Sequence, residues 1–206
     1  MTYVLVHGLG VSHRYFERLR VRLPDAVAPD LAGSSVGELT TSLARVAPAR
    51  ATFIGSSLGC QVAVELALRE PARVERLVLI GPSGYGHPLA AYASRLGVDW
   101  IREPPSLVLL ATADYFRWGP RRLARTARSM RRDGFADKLP LVGAPPLVVR
   151  GAVDPICPQD WAEHVVSLLP RGRLAVVPGA AHAAQWSHAA DVARLVQEAE
   201  HDAREG

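Results

Sequence analysis

Short apolar runs alternate with amphipathic segments along most of the chain. Strands are predicted where a short apolar run ends at turn residues, and helices where apolar residues recur every three or four positions. Strands that alternate with helices favour a mostly parallel, open sheet with helices on both faces. The predicted strands are residues 2–6, 25–29, 51–54, 74–80, 145–150 and 174–177, and the predicted helices are residues 13–22, 36–47, 60–69, 159–169 and 189–200.

The alternation stops between residues 83 and 140, where proline, aromatic residues and arginine become frequent. Because no repeat or low-complexity linker occurs, we interpret residues 1–206 as a single domain with an insertion at about residues 84–140. The aromatic residues of this segment either line an apolar pocket or form the core of a small helical insertion, and the pattern leaves both open. They are Tyr85, Tyr92, Trp100, Tyr115, Phe116 and Trp118.

Composition and charge argue against several classes of protein. The net charge of +4 is modest, and no nucleic-acid-binding motif accompanies it, so no nucleic-acid partner is expected. No uncharged apolar run is long enough to span a membrane, and the first residues are strand-like rather than a signal peptide. Cys60 and Cys157 have neither metal-ligand nor C-x-x-C spacing, although Cys157 could be exposed. We therefore expect a cytoplasmic protein without a membrane partner, bound metal or cofactor.

The stretch Gly55-Ser56-Ser57-Leu58-Gly59 joins a predicted buried strand to a predicted helix. A G-x-S-x-G sequence in that context is typical of a nucleophile elbow, in which the central serine stands on a strained turn. The helix that follows directs free amides and the positive end of its dipole at the serine. The alternative is a glycine-rich turn with two incidental serines.

Other polar residues follow other predicted strands. His7 comes after the first, Asp154 after the fifth and His182 after the last, and the carboxyl ends of parallel strands share one sheet edge. Asp154 could instead initiate a turn before a proline, and His182 could be a surface histidine. His188 is a weaker candidate for a base because it enters or caps the last helix. His7 is also weaker, since its loop position suits holding a turn in place.

Taken together, these motifs resemble the α/β-hydrolase superfamily, of the type with a helical cap. The matching stretches are residues 7–10 (HGLG), 30–33 (DLAG), 55–59 (GSSLG), 151–155 (GAVDP) and 179–182 (GAAH). The resemblance implies Ser57 as the nucleophile, His182 as the base and Asp154 as its orienting acid. It also implies an oxyanion hole formed by the backbone N–H groups of Leu9 and Leu58.

Two features depart from the family pattern. Ser56 stands where many members carry histidine, and the chain begins at what would be the third strand, so the sheet is expected to be shortened at its N-terminal edge. A short sheet edge makes pairing with another chain conceivable, and a monomer and a homodimer both remain open.

The resemblance implies hydrolysis of a small-molecule carboxylic ester or thioester through an acyl-enzyme. Alternatives are a carbon–carbon bond hydrolase, a lyase or a cyclase that uses the same triad, or a binding protein without catalysis. The arginines of residues 117–132 are either a solvated basic face or a surface that steers an anionic substrate such as an acyl-CoA.

Overall fold

A computed structural model of the chain describes residues 2–86 and 89–205. Its six strands form one sheet in the order β2-β1-β3-β4-β5-β6, and every neighbouring pair is parallel. The fold class predicted from the alternation is thereby confirmed. The strands are β1 (Tyr3–Val6), β2 (Ala26–Val27), β3 (Ala51–Ser56), β4 (Val74–Ile80), β5 (Pro146–Gly151) and β6 (Arg173–Val177).

Helices cover both faces of the sheet, because successive strand residues point to opposite sides. The helices are α1 (Glu17–Arg20), α2 (Val36–Val46), α3 (Leu58–Arg69), α4 (Leu89–Arg102), α5 (Pro105–Trp118), α6 (Pro120–Arg131), α7 (Phe135–Lys138), α8 (Gln159–Leu168), α9 (Ala184–Ser187) and α10 (Ala189–Glu205). In β3, Phe53 packs in the core formed with α2, α3 and α8, while Ile54 packs in the core formed with α1, α9 and α10. None of the helices in the described part of the chain is long and apolar enough to cross a membrane.

The helix predicted over residues 13–22 is wrong in its continuity. A 3-10 turn at His13–Phe16 precedes the four-residue α1. The backbone amide and hydroxyl of Ser12 both donate to Asp114 Oδ2, at 3.0 and 2.6 Å. This long-range contact takes the Ser12 side chain away from the capping position in which it would support a helix start.

Four helices, α4 to α7, lie between β4 and β5 in the chain. Asp114, on α5, is buried and also pairs with Arg14. On α6, Ser129 accepts a hydrogen bond from the amide of Val36 at 3.0 Å. These contacts hold the helices against the loops that follow β1 and β2. The interpretation of the segment as a cap inserted in a single domain stays a prediction.

Candidate active site

The turn between β3 and α3 carries Ser57 in a strained backbone conformation. Its φ is 55° and its ψ −117°, and it is the only non-glycine residue with positive φ among residues 2–86 and 89–205. A Cβ on Gly55 would lie 2.5 Å from the carbonyl oxygen of Gly59, and one on Gly59 would lie 2.0 Å from that of Val6. Gly55 is therefore required for the strand to turn this tightly into α3, and Gly59 is required for the turn to lie this close to β1.

The loops after β5 and β6 bring Asp154 and His182 together. His182 Nδ1 lies 2.8 Å from Asp154 Oδ2, and both side chains are buried. Asp154 Oδ1 accepts the amides of Ile156 and Cys157 at 2.8 and 2.9 Å. Since an ionised carboxylate only accepts hydrogen bonds, His182 donates from Nδ1, and its Nε2 is left to accept a proton.

Ser57 and His182 line the same cavity, with a volume of about 50 Å³. In the described part of the chain no hydrogen bond joins the Ser57 hydroxyl to the imidazole; such contacts commonly tighten only with substrate bound. Gly81, after β4, lies beside the histidine with φ +53°, and a Cβ there would be 2.9 Å from His182 Cε1. Glycine at this position leaves the space that the imidazole occupies.

A buried arginine supports the turn that carries Asp154. Arg150, at the end of β5, donates to the carbonyls of Cys157 and Asp154 at 3.0 and 3.4 Å and to Gln159 Oε1 at 2.8 Å. The side chain thus closes the loop from within. No local pattern predicts this role, because Arg150 ends an apolar strand and its three partners lie further along the chain.

The loop after β1 is held by His7. His7 Nδ1 lies 3.0 Å from the carbonyl of Gly8, and its Nε2 accepts the amide of Leu31 at 3.1 Å. Burial lowers the pKa of His7, which favours the neutral ring that these two contacts require. A Cβ on Gly8 would lie 3.4 Å from that of Ser57, so the loop passes directly beside the serine. Leu9 lines the cavity, and Leu58 is the first residue of α3.

Three of the six aromatic residues singled out in the sequence line the cavity beside Ser57: Tyr92, Trp100 and Tyr115. The last two stack with ring centres 6.0 Å apart. An adjoining cavity of about 190 Å³ shares Tyr92 and includes Tyr85. The remaining two lie elsewhere: Phe116 is exposed, and Trp118 packs edge-on against His7.

Two acidic residues that the sequence analysis missed lie behind His182. The backbone amide of His182 donates to Asp99 Oδ1 at 3.1 Å, and that of Ala183 donates to Glu103 Oε1 at 2.6 Å. Both carboxylates are buried; Asp99 belongs to α4, and Glu103 directly follows Arg102, the last residue of that helix. Burial raises the pKa of Asp99, and it raises the pKa of Glu103 to about 7.

The pKa of His182 reflects these neighbours. Burial alone would lower it, but the negative charge of Asp154 and its hydrogen bond, with the charges of Asp99 and Glu103, outweigh burial and raise the pKa to about 9. His188 has a different setting: it ends α9, and its Nδ1 lies 3.0 Å from Ser187 Oγ. Of the two histidines, only His182 is among the residues that line the cavity with Ser57.

Both cysteines are buried, so the exposure that the sequence left open for Cys157 is not observed. Cys60 Sγ lies 3.3 Å from the carbonyl of Gly55, beneath the Ser57 turn. Burial raises the pKa of both thiols. Neither is therefore set up as a thiolate nucleophile.

The arginines of residues 117–132 are not one uniform face. Arg122 donates to the carbonyls of Gly33 and Leu31, each at 2.8 Å, and its guanidinium lies 3.7 Å from the centre of the Trp118 ring. It is thus a structural link between α6 and the loop after β2. The exposed arginines of α6 are Arg121, Arg125, Arg128 and Arg131.

Comparison with known proteins agrees with this geometry. The sequence pattern of the alpha/beta hydrolase family matches residues 3–195. A pimeloyl-[acyl-carrier protein] methyl ester esterase of Edwardsiella ictaluri is 28% identical over 90% of this chain and 87% of its own. A 2-hydroxymuconate semialdehyde hydrolase of Pseudomonas sp. (strain CF600) is 24% identical over 94% of this chain and 84% of its own.

Solved structures show the same fold. A thermophilic esterase from Thermogutta terrifontis superposes with a TM-score of 0.83 at 20% identity, covering 98% of this chain and 90% of the esterase. The match to the family pattern covers nearly the whole chain and accords with the parallel sheet and the serine turn, which confirms the family indicated by the motifs. The chain therefore belongs to the alpha/beta hydrolase family and is a hydrolase.

Proposed function

We propose that this protein is a serine esterase. Ser57 is the nucleophile, His182 the general base, Asp154 the acid that orients the imidazole, and the backbone N–H groups of Leu9 and Leu58 form the oxyanion hole. The observation that carries the proposal is the convergence of three loops: Ser57, on its strained turn, lines one cavity with His182, whose Nδ1 contacts Asp154 at 2.8 Å.

The mechanism follows from those positions. His182 Nε2 takes the Ser57 proton while Oγ forms a bond to the ester carbon, and the carbonyl oxygen becomes an oxyanion bound by the two amides. The imidazolium then gives its proton to the leaving alcohol of an ester, or to the leaving thiol of a thioester such as an acyl-CoA, as the bond between the acyl carbon and that group breaks. Water, deprotonated by His182, attacks the acyl-enzyme, and the carboxylic acid leaves as Ser57 regains its proton. Asp154 keeps the proton on Nδ1 and stabilises the cation.

The neighbouring serine provides a matched control for the test. Ser56 is buried, its hydroxyl has no hydrogen-bond partner in the described part of the chain, and it lies next to Ser57 in sequence. Purified wild type, Ser57→Ala and Ser56→Ala are treated with a fluorophosphonate and assayed on short p-nitrophenyl esters. We expect labelling and turnover in wild type and Ser56→Ala, and a loss of several orders of magnitude in Ser57→Ala. Labelled and active Ser57→Ala of normal thermal stability would refute the assignment.

We further propose that the acyl group is delivered on a phosphate-bearing carrier arm, such as phosphopantetheine or coenzyme A. Two observations favour this class: Arg121, Arg125 and Arg128 are exposed on α6, and a relative of the chain is an esterase of an acyl-carrier-protein ester. Arginine suits the task because its planar fork binds phosphate through two hydrogen bonds.

Salt dependence tests this refinement. Exposed charges act over about 8–10 Å near physiological salt, so added salt should lower kcat/KM for an acyl-CoA and leave that for a neutral ester unchanged. Replacing Arg121, Arg125 and Arg128 with Gln should abolish the difference between the two substrates. Because Arg122 is bound to backbone carbonyls, it is left intact, so that the triple variant keeps its fold. Equal salt dependence in wild type would exclude steering.

A further inference from the structure

Two carboxylates at the C-terminal end of α4 bind the backbone that carries the proposed base, His182. Asp99 lies in the last turn of α4 and Glu103 directly after the helix, and the amide of Glu103 donates to the carbonyl of Asp99 at 2.9 Å, so the two side chains lie about one turn apart on the same side. They accept hydrogen bonds from consecutive amides, those of His182 and Ala183, at 3.1 and 2.6 Å. Asp99 is 5% and Glu103 6% exposed. A carboxylate buried to this degree is costly unless it serves as an acceptor, which gives these contacts more weight than surface pairs have.

His182 is therefore fixed from two independent directions. Its ring is bound by Asp154, in the loop after β5, and its main chain by α4, which belongs to the segment between β4 and β5. Moving α4 by a fraction of an ångström moves the imidazole relative to Ser57. Displacements of about 1 Å at a catalytic group can cost roughly 100-fold in rate.

The same two residues contribute charge. Glu103 Oε2 has no hydrogen-bond partner among the described residues, and both side chains line the cavity that contains Ser57 and His182. Negative charge on Asp99 and Glu103 stabilises the imidazolium that forms when His182 takes a proton. The ionisable groups around His182 are Asp154 from the loop after β5, Asp99 and Tyr92 from α4, Glu103 directly after α4, Tyr15 from the 3-10 turn after β1 and Tyr115 from α5; Arg102 acts on Asp99.

We propose that Asp99 and Glu103 are positioning residues for the base: they fix the His182 main chain to α4 and stabilise the protonated imidazole. The inference rests on the proposed role of His182. The two carboxylates therefore act on catalysis through the histidine and need no contact with the reacting ester.

The test separates hydrogen bonding from charge. Asp99→Asn and Glu103→Gln keep an oxygen acceptor and remove the charge, whereas Asp99→Leu removes both. Glu198→Gln, on the exposed face of α10, is the matched control for loss of one negative charge. For each variant, kcat/KM on a neutral p-nitrophenyl ester and the rate of fluorophosphonate labelling are measured against pH, and thermal unfolding reports the fold.

Activity requires neutral His182, so in wild type both rates should rise with pH towards a plateau above the pKa of the histidine. Removing one carboxylate charge makes the imidazole easier to deprotonate, and the rising limb should move to lower pH by about one unit in Asp99→Asn and Glu103→Gln. The plateau should fall less than about tenfold in these variants and about 100-fold in Asp99→Leu. Glu198→Gln should match wild type.

If the rates of Asp99→Asn and Glu103→Gln rise over the same pH range as those of wild type, the electrostatic role is overturned. A plateau rate of Asp99→Leu equal to that of Asp99→Asn would overturn the positioning role. If Asp99→Leu does not fold, Asp99→Asn and Glu103→Gln still decide the electrostatic role. Failure of the serine esterase assignment looks different: wild type would resist the fluorophosphonate, or Ser57→Ala would retain activity.

Discussion

A single methyl group added at Gly81 should displace the imidazole of His182 while Ser57, Asp154 and His182 themselves stay unchanged. In Gly81→Ala the new Cβ would lie 2.9 Å from both Cε1 and Nδ1 of His182 and 3.2 Å from Asp154 Oδ2. Carbon contacts are comfortable at about 3.5–4.0 Å, so the ring must move by roughly 0.6–1 Å. A shift of that size predicts a loss of about 100-fold in kcat/KM.

The same substitution also has a backbone cost. Gly81 has φ +53°, in the left-handed region, where a residue with a Cβ is less stable by about 1–2 kcal/mol. Gly119 is the control for a positive φ without a steric clash, because its φ is +74° and a Cβ there would meet nothing within 4 Å. Both alanine variants should therefore lose stability in urea unfolding, but only Gly81→Ala should lose esterase activity.

The assay is kcat/KM on a neutral p-nitrophenyl ester, together with the free energy of unfolding of each variant. The reasoning is wrong if Gly81→Ala is folded and retains activity within about threefold of wild type, since the ring then tolerates the contact. It is also wrong if Gly119→Ala loses as much activity as Gly81→Ala, since backbone strain alone would then explain the effect.

Five further substitutions test other contacts. His182→Ala should lose activity about as completely as Ser57→Ala, whereas His188→Ala should stay within a few-fold; the opposite ranking would move the base to His188. Asp154→Asn should lower kcat by about 10⁴-fold by favouring the wrong tautomer, and a small loss would show that this contact does not orient the ring. His7→Ala, which removes the bridge between Gly8 and Leu31, should lower kcat by about 100-fold with little change in KM, and an unchanged kcat would show that the loop holds without it. Arg73→Ala should cost about 1–3 kcal/mol in urea unfolding with unchanged activity, because Arg73 binds three carbonyls at the end of α2, and full stability would contradict this.

The parts of the fold that sequence reasoning recovers are those with local causes. The strands around Ser57 are predictable because the apolar runs are short and are bounded by glycine or proline, and the family pattern follows from glycines whose absent Cβ atoms make the turn possible. The 3-10 turn at His13–Phe16 is not predictable, because Asp114, about a hundred residues away, determines where the Ser12 side chain points.

In the site, too, local patterns predict some residues, and long-range contacts determine others. Ser57, Asp154 and His182 each follow a strand, so parallel topology alone predicts that they lie at one edge of the sheet. Asp99 lies on an amphipathic helix and Glu103 directly after it, in a segment without strands, where two acidic residues four apart are typical of a solvated face. Only the docking of α4 against the loop after β6 reveals their partners, and no local pattern encodes that docking.

The two buried thiols can report local unfolding of the protein. A thiol reagent cannot reach Cys60 or Cys157 in the native state, and their raised pKa values leave almost no thiolate at neutral pH. Cys60 lies under the Ser57 turn, and Cys157 lies in the turn that binds Asp154. Modification of each cysteine over time therefore measures the local unfolding free energy of one half of the site, and two equal rates would mean that both halves open as one cooperative unit.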